Sequence, residues 1–179
     1  MSKKGQIIWA IILVIIIAGG FAFMMQAKYT VPVAHINGDT LGRDASESLG
    51  DYQDRAKQEL DAAPDGVKLW ALVTFKQVVS TQEAAQAVKE LGRVGSVVVD
   101  VGTPIAVPEP TGTEDRTAVF DRTIAHYSQA GAKISGVAGL VVYDTKEKLE
   151  QVAAESAVLS VEPSDADASR ARMGIQKVL

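Results

Sequence analysis

The chain has 179 residues, a length that suits one domain of ordinary size with additional flanking segments. It contains no cysteine, which excludes disulfides, thiolate metal ligands and a lipid-modified N-terminal cysteine. It carries 18 basic and 22 acidic residues, and this acidic balance argues against nucleic acid or an anionic lipid surface as a partner.

The first predicted element is a transmembrane helix. Residues 7–25 form an apolar run without a charge, and about 20 such residues cross a bilayer as a helix. Lys3 and Lys4 precede the run, and positive charge favours the cytoplasmic side. A cleaved signal peptide is the alternative, but its apolar core is typically about 7–15 residues. The sequence therefore predicts a single-pass protein of the cell membrane, with residues 1–25 as cytoplasmic stub and uncleaved anchor and an extracytoplasmic remainder.

Residues 26–67 are predicted to form a juxtamembrane connector. Residues 29–36 could form a short strand, although Pro32 restricts it to an edge or a turn. A helix is predicted over 44–62, because apolar residues recur there on one helical face. These residues are Leu49, Tyr52, Ala56 and Leu60.

Residues 68–163 alternate between strand and helix patterns. The predicted strands are 69–75, 93–101, 134–143 and 158–161, and the predicted helices begin at Ser80, Arg116 and Asp144. Ser80 with Glu83, and Asp144 with Glu147, have the spacing of capping boxes, in which two side chains satisfy free amides at a helix start. Residues 102–115 are rich in proline and glycine and are predicted to be a loop.

The two strand-helix-strand units resemble each other. With a shift of 64 residues, six positions are identical between 80–99 and 144–163. The pairs are Thr81/Thr145, Glu83/Glu147, Val88/Val152, Val94/Val158, Ser96/Ser160 and Val97/Val161. Residues 71–75 match 139–143 as the leading strands. This βαβ repeat predicts an α+β, ferredoxin-like sandwich with a four-stranded antiparallel sheet, both repeat helices on one face, and the helix 116–130 inserted.

The stretch from Ile134 to Pro163 resembles the C-terminal half of the inhibitor-type prodomain of subtilisin-like proteases. The resemblance is carried by Gly136, Val137, Leu149, Val158, Val161, Glu162 and Pro163. It implies the ferredoxin-like fold, and it makes protease inhibition one hypothesis for the function.

The sequence predicts no enzyme, no metal and no cofactor. The two histidines, His35 and His126, are far apart in the sequence, whereas a zinc site usually needs three or four ligands. No serine lies in a Gly-x-Ser-x-Gly elbow, and no glycine-rich phosphate loop follows a strand.

The candidate binding residues are apolar ones in the proline-rich loop, on the first strand of the sheet, and in a tail over 164–179 that is predicted to be helical. They are Trp70, Pro104, Ile105, Val107, Pro108, Pro110, Met173 and Ile175. A ferredoxin-like sheet leaves one face without helices, and a bare apolar face usually marks a binding surface. The helix 116–130 could instead cover that face.

The resulting hypothesis is a non-catalytic accessory or scaffold subunit that binds a protein partner in the membrane or envelope. The layout and the cysteine-free, Ala/Val/Asp-rich composition resemble small single-pass accessory proteins of actinobacterial membrane complexes, such as respiratory supercomplexes. The alternatives are a prodomain-like protease inhibitor, and a small-ligand sensor with a pocket between the sheet and the helix 116–130.

Overall fold

The computed structural model describes residues 40–100 and 102–179. The elements in chain order are β1 (Thr40–Leu41), α1 (Leu49–Ala62), β2 (Lys68–Val79), α2 (Thr81–Ala87), β3 (Arg93–Val99), β4 (Pro104–Ala106), α3 (Arg116–Gln129), β5 (Val137–Thr145), α4 (Lys146–Ala153), β6 (Val158–Pro163) and β7 (Gly174–Ile175). The predicted anchor at 1–25 and the possible strand at 29–36 lie outside the described residues. Among the helices over 40–100 and 102–179, none is long and apolar enough to span a bilayer.

The main sheet has five strands in the order β4-β3-β5-β2-β6, and every neighbouring pair is antiparallel. This confirms the predicted α+β class with an antiparallel sheet. The prediction of four strands was wrong, because β4 forms inside the stretch predicted to be a loop and pairs with β3 from Pro104 to Ala106. Proline fits in an edge strand, because an N–H group on the open side of that strand has no neighbouring strand to bond, so its absence costs no ladder bond.

Strand pairing also tests the predicted repeat. Gly95 is skipped in the pairing of β3, and Leu159 is skipped in β6, so the two irregularities lie 64 residues apart, as the alignment of the second strands requires. Thr74 pairs with Ser160, and Val141 pairs with Ser96. The first strands of the two units, β2 and β5, therefore correspond with a shift of 67 residues, from Thr74 to Val141. The predicted match of 71–75 to 139–143 has a shift of 68 and is wrong by one residue. A one-residue slip matters because it moves each side chain to the opposite face.

One face of the sheet, here named the helix-packed face, is covered by α2, α3 and α4. Its buried side chains include Val73, Phe75, Val97 and Leu140 from the strands, and Ala84, Phe120 and Leu149 from the helices. The capping box at the start of α2 is confirmed, because Ser80 Oγ accepts from Glu83 N and Glu83 Oε2 accepts from Ser80 N.

The predicted capping box at the start of α4 is wrong. The N-cap residue is Thr145, and its side chain makes no capping bond. The Asp144 carboxylate instead accepts from Gly92 N at 2.6 Å and from Thr145 N at 3.0 Å. Asp144 thereby joins the end of β5 to the turn before β3.

The opposite face, here named the flank-packed face, is covered by α1 and the residues after β6. Its buried side chains are Leu41, Tyr52, Ala56, Trp70, Leu72, Val98, Val141, Met173 and Val178. Helix α3 packs against α2 and the helix-packed face, so it is not the cover suggested for the bare sheet. The segment predicted as a connector is therefore part of the folded domain from Thr40 onward.

The tail predicted to be helical is largely extended. It forms one 3-10 turn (Arg170–Arg172) and then β7, which pairs parallel with β1. Gly174 weakens a helix at this point, because glycine loses the most backbone entropy when it is ordered. Gln176 N donates to Leu41 O at 2.7 Å, so the tail finds its backbone partners in β1 and the residues next to it.

Candidate functional site

The eight predicted binding residues do not form one surface. Trp70, Ile105, Val107 and Met173 are buried, and the first of these packs against the Tyr143 ring with centroids 4.9 Å apart. Pro108 is exposed, and Pro104, Pro110 and Ile175 are half-buried. Trp70 and Met173 belong to the flank-packed cluster, whereas Ile105 and Val107 belong to the helix-packed cluster. Internal packing therefore accounts for the apolar character of half the set.

The most unusual buried group is Glu162, in the edge strand β6, with 1% of its surface exposed. Its Oε2 accepts from Gly42 N at 2.6 Å and from the Tyr52 hydroxyl at 3.1 Å. Its Oε1 accepts from Arg55 Nη1 at 2.7 Å. Donors from the segment after β1 and from α1 thus converge on one carboxylate of the sheet. We name Glu162, Gly42, Tyr52, Arg55 and Glu47 the Glu162 cluster.

Arg55 connects the cluster to its surroundings. Its guanidinium donates to both oxygens of Glu47, at 2.9 and 3.1 Å, and to the Gly42 carbonyl at 3.0 Å. It also contacts Glu59, one helical turn further along α1, at 3.2 Å. Arg43 extends the network, because it donates to Val178 O and to Glu47 O, each at 2.9 Å. The cluster therefore joins the segment after β1, α1, β6 and the tail.

Burial and charge shift the titration of these groups in different directions. Burial raises the pKa of Glu162, and this effect exceeds the opposing effects of the bonds from Arg55 and Gly42 N. Burial and the neighbouring Glu162 raise the pKa of Tyr52. The bond from Arg55 lowers the pKa of Glu47. Because every Glu162 oxygen accepts from the chain's own donors, the cluster is built to hold segments together.

Gly42 is the point of closest approach in this region. Its φ is +115°, and a Cβ at this position would lie 2.4 Å from Gln176 O. Only glycine accommodates both the positive φ and the contact without a shift of the tail. The close approach places the Gly42 amide against Glu162.

Three cavities lie around the flank-packed face. One of about 430 Å³ lies beside Arg55 and Glu162, and one of about 510 Å³ lies between α1 and α4. An apolar cavity of about 190 Å³ lies where Leu72 and Val98 meet Val178 and Leu179. This apolar cavity lies between the sheet and the tail, whereas the ligand-sensor hypothesis placed a pocket between the sheet and the helix 116–130.

In the described part of the chain, the side chains that could bind a metal ion are not brought together. Over residues 40–100 and 102–179, no group of three His, Asp or Glu side chains is placed to hold a metal ion. His126 is exposed on α3 and stacks edge-on against Tyr127, with ring centroids 5.7 Å apart. His35 lies outside the described residues.

The Glu162 cluster was not predicted from the sequence. Glu162 was named only among the residues that carry the prodomain resemblance, without a link to α1. One signal was available: Tyr52 and Arg55 are three residues apart, so a polar hydroxyl and a guanidinium project from neighbouring positions near the apolar stripe of the helix. The partner carboxylate, more than a hundred residues away, has no local signal.

Comparison with protein-family models, with curated proteins and with solved structures finds no match to this chain. Its function is therefore argued from its own residues.

Proposed function

We propose that the chain is a non-catalytic, membrane-anchored extracytoplasmic interaction domain, an accessory or scaffold subunit of a membrane or envelope protein complex. The observation that carries the proposal is the Glu162 cluster. It contains the most buried carboxylate of the described residues, and it joins the segment nearest the predicted anchor to the sheet. Because the cluster fixes the segment next to the predicted tether onto the sheet, it supports the proposal of a domain that is held firmly at that tether.

The length of the tether favours a partner near the same membrane. Residues 26–39 lie between the predicted anchor and β1, and when fully extended they reach at most about 50 Å. From Thr40 onward the chain is held in the folded domain, because Thr40 pairs with Gly174 and Gly42 N donates to Glu162. Residues after 39 therefore do not lengthen the tether. Thr40 then lies within this distance of the bilayer surface, which favours a partner in or near the same membrane.

We further propose that β2-α2-β3 and β5-α4-β6 form a ferredoxin-like sandwich. The order β3-β5-β2-β6 is the order expected when two βαβ units pair their first strands at the centre of the sheet. β4 and α3 are then additions between the second and third strands. This fold hosts many unrelated functions, so it assigns no activity.

The packing favours the accessory role over protease inhibition. Among the residues that carry the prodomain resemblance, Val137, Leu149, Val158 and Val161 are buried in the helix-packed cluster. At these four positions the resemblance therefore reflects how a core is packed. The tail, which the inhibitor hypothesis needs, is engaged by its pairing with β1.

The test is to purify the tagged full-length protein in mild detergent and to identify co-purifying proteins by mass spectrometry. We expect a stoichiometric membrane or envelope complex. The double variant P108D/P110D alters the most exposed part of the predicted binding set and is expected to lower recovery of the complex. The matched control S128D/Q129D adds the same charge on exposed positions of α3 and is expected to leave recovery unchanged. Recovery of the protein alone would overturn the proposal.

A further inference from the structure

The two layers on the sheet are attached to it by different means. We name residues 40–62 and 164–179 the cover, since together they occupy the flank-packed face. In the described residues, the buried apolar cluster of that face has nine members, against twenty-three in the cluster of the helix-packed face, to which the cover contributes only Leu60 of α1. The free energy from apolar burial scales with the area removed from water, so the cover receives the smaller hydrophobic stabilisation.

Backbone pairing adds little to the cover. β1 and β7 pair over two positions only, Thr40 with Gly174 and Leu41 with Ile175. An isolated two-stranded ribbon is marginally stable in water even when it is longer. The cover therefore needs a further attachment to the sheet.

Glu162 supplies that attachment. The carboxylate belongs to β6, and its three donors, Gly42 N, the Tyr52 hydroxyl and Arg55 Nη1, all belong to the cover. Hydrogen bonds to a charged group are about twice as strong as neutral ones. Removing one buried partner also leaves the other groups unsatisfied, which costs more than the bond itself contributes.

We propose that Glu162 holds the cover closed. The hydrogen bonds that this carboxylate accepts from Gly42, Tyr52 and Arg55 keep 40–62 and the tail on the sheet. Without these bonds the cover opens as a unit, while the helix-packed face stays folded. This inference concerns the folded domain alone and does not depend on the proposed partner. Opening would expose Trp70, Leu72 and Val98, the apolar sheet face that the cover hides.

Glu162→Gln is the sharpest variant, because it keeps the size of the side chain. Three donors need acceptor lone pairs, and the amide nitrogen of glutamine has none. At least one donor, such as Gly42 N, would then face another N–H group. Asp144→Asn is the matched control, because Asp144 is also buried, at 2% exposure, and also accepts from backbone amides, but on the other side of the domain.

The test is hydrogen exchange followed by mass spectrometry on the full-length chain in mild detergent at pH 7. In E162Q we expect exchange at least tenfold faster in peptides from 40–62 and 174–179, with less than a twofold change in peptides from 81–99 and 146–158. In D144N we expect faster exchange around Gly92 and Thr145, without the change in the cover.

A second variant keeps the test open if E162Q fails to fold. Gly42→Ala retains Glu162 but places a Cβ against Gln176 O, so it displaces the segment that reaches the carboxylate. It is expected to reproduce the pattern of E162Q. The proposal is overturned if either variant speeds exchange equally on both faces, or if both leave the cover unchanged.

Discussion

The two faces of the sheet are stabilised in different ways. The helix-packed face is covered by helices that lie between its own strands in the sequence, and it holds the larger of the two buried apolar clusters. The flank-packed face is covered by segments from before β2 and after β6, and it contains a buried carboxylate and a guanidinium. The first kind of packing follows from local periodicity, whereas the second depends on contacts between residues more than a hundred positions apart.

This difference changes the interpretation of the apolar strand residues. Trp70 was predicted to mark a surface for a partner, but it is buried beneath the cover together with Leu72. The chain therefore supplies its own partner for the second face of the sheet. Any external partner must bind elsewhere or must displace the cover.

The largest expected effect is on the helix-packed face. Phe75 is fully buried there, and truncation of a buried phenylalanine costs about 3–5 kcal/mol. We expect Phe75→Ala to lower the free energy of unfolding by about that amount and to speed hydrogen exchange on both faces, because the cover has no sheet to rest on without this core. Urea unfolding followed by circular dichroism measures the change. A loss under about 1 kcal/mol would contradict the comparison.

The next effect concerns a half-buried cation on the helix-packed side. Arg116 donates to Val88 O at 2.5 Å and to Leu91 O at 2.9 Å, just after the end of α2. Arg116→Ala leaves two carbonyls without these donors, so we expect a loss of about 1–3 kcal/mol in the free energy of unfolding. Arg122→Ala is the control, because Arg122 is exposed and its ion pair with Glu114 is worth at most about 1 kcal/mol. Equal losses in the two variants would show that Arg116 contributes no more than a surface charge.

Much of the helix-packed face could be predicted from the sequence. Alternating strand residues, the capping box at Ser80 and the stripe around Leu149 are local signals, and they located β2, α2, β3 and α4. The repeat also predicted correctly that β3 and β6 are equivalent. The strand β4 was missed because it is short and begins at a proline, and such a strand is specified by its neighbour more than by its own residues.

The third prediction uses the two buried carboxylates. Burial acts to raise the pKa of Asp144, but amides from Gly92 and Thr145 with nearby lysines outweigh it, so the pKa lies below its usual value. The stability that Asp144 contributes is therefore present above about pH 3.9, the unfolded pKa, and is lost as the pH falls through the folded pKa. The pKa of Glu162 is raised by burial, so the additional stability of its protonated form is present below about pH 4.3 and is lost as the pH rises through the folded pKa, while the bonds that its oxygens accept remain.

We expect these opposite signs in the free energy of unfolding from pH 2 to 8. The difference between wild type and D144N should shrink on acidification, because the bonds that Asp144 accepts stabilise its ionised form. The difference between wild type and E162Q should instead grow on acidification, because burial penalises the ionised carboxylate of Glu162, whereas glutamine is neutral at every pH. The pKa of Glu47 is also lowered, by Arg55, so this group adds to the pH dependence of stability. Its contribution cancels in each difference in free energy, because Glu47 is present in wild type and in both variants. The same sign for both pairs would contradict this account.

The Glu162 cluster could not be predicted in the same way. A buried carboxylate is recognised by its donors, and here Gly42 and Arg55 come from a segment that the sequence presents as a connector. The tail was likewise predicted to be helical, because the acidic stretch 162–167 offered an N-cap for a helix after it. Its pairing with β1 depends on where the two segments meet in the fold.

The smallest effect is expected at the exposed end of α3. The spacing of Phe120, Ile124 and Tyr127 puts them on one helical face, but only Phe120 is fully buried, and Tyr127 is 44% exposed. We expect Tyr127→Ala to change the free energy of unfolding by less than about 0.5 kcal/mol, as is usual for surface substitutions. Phe120→Ala, on the same helix, should cost about 3–5 kcal/mol. A large loss for Tyr127→Ala would show that the ring is covered in the folded protein, and the end of α3 would then join the helix-packed face.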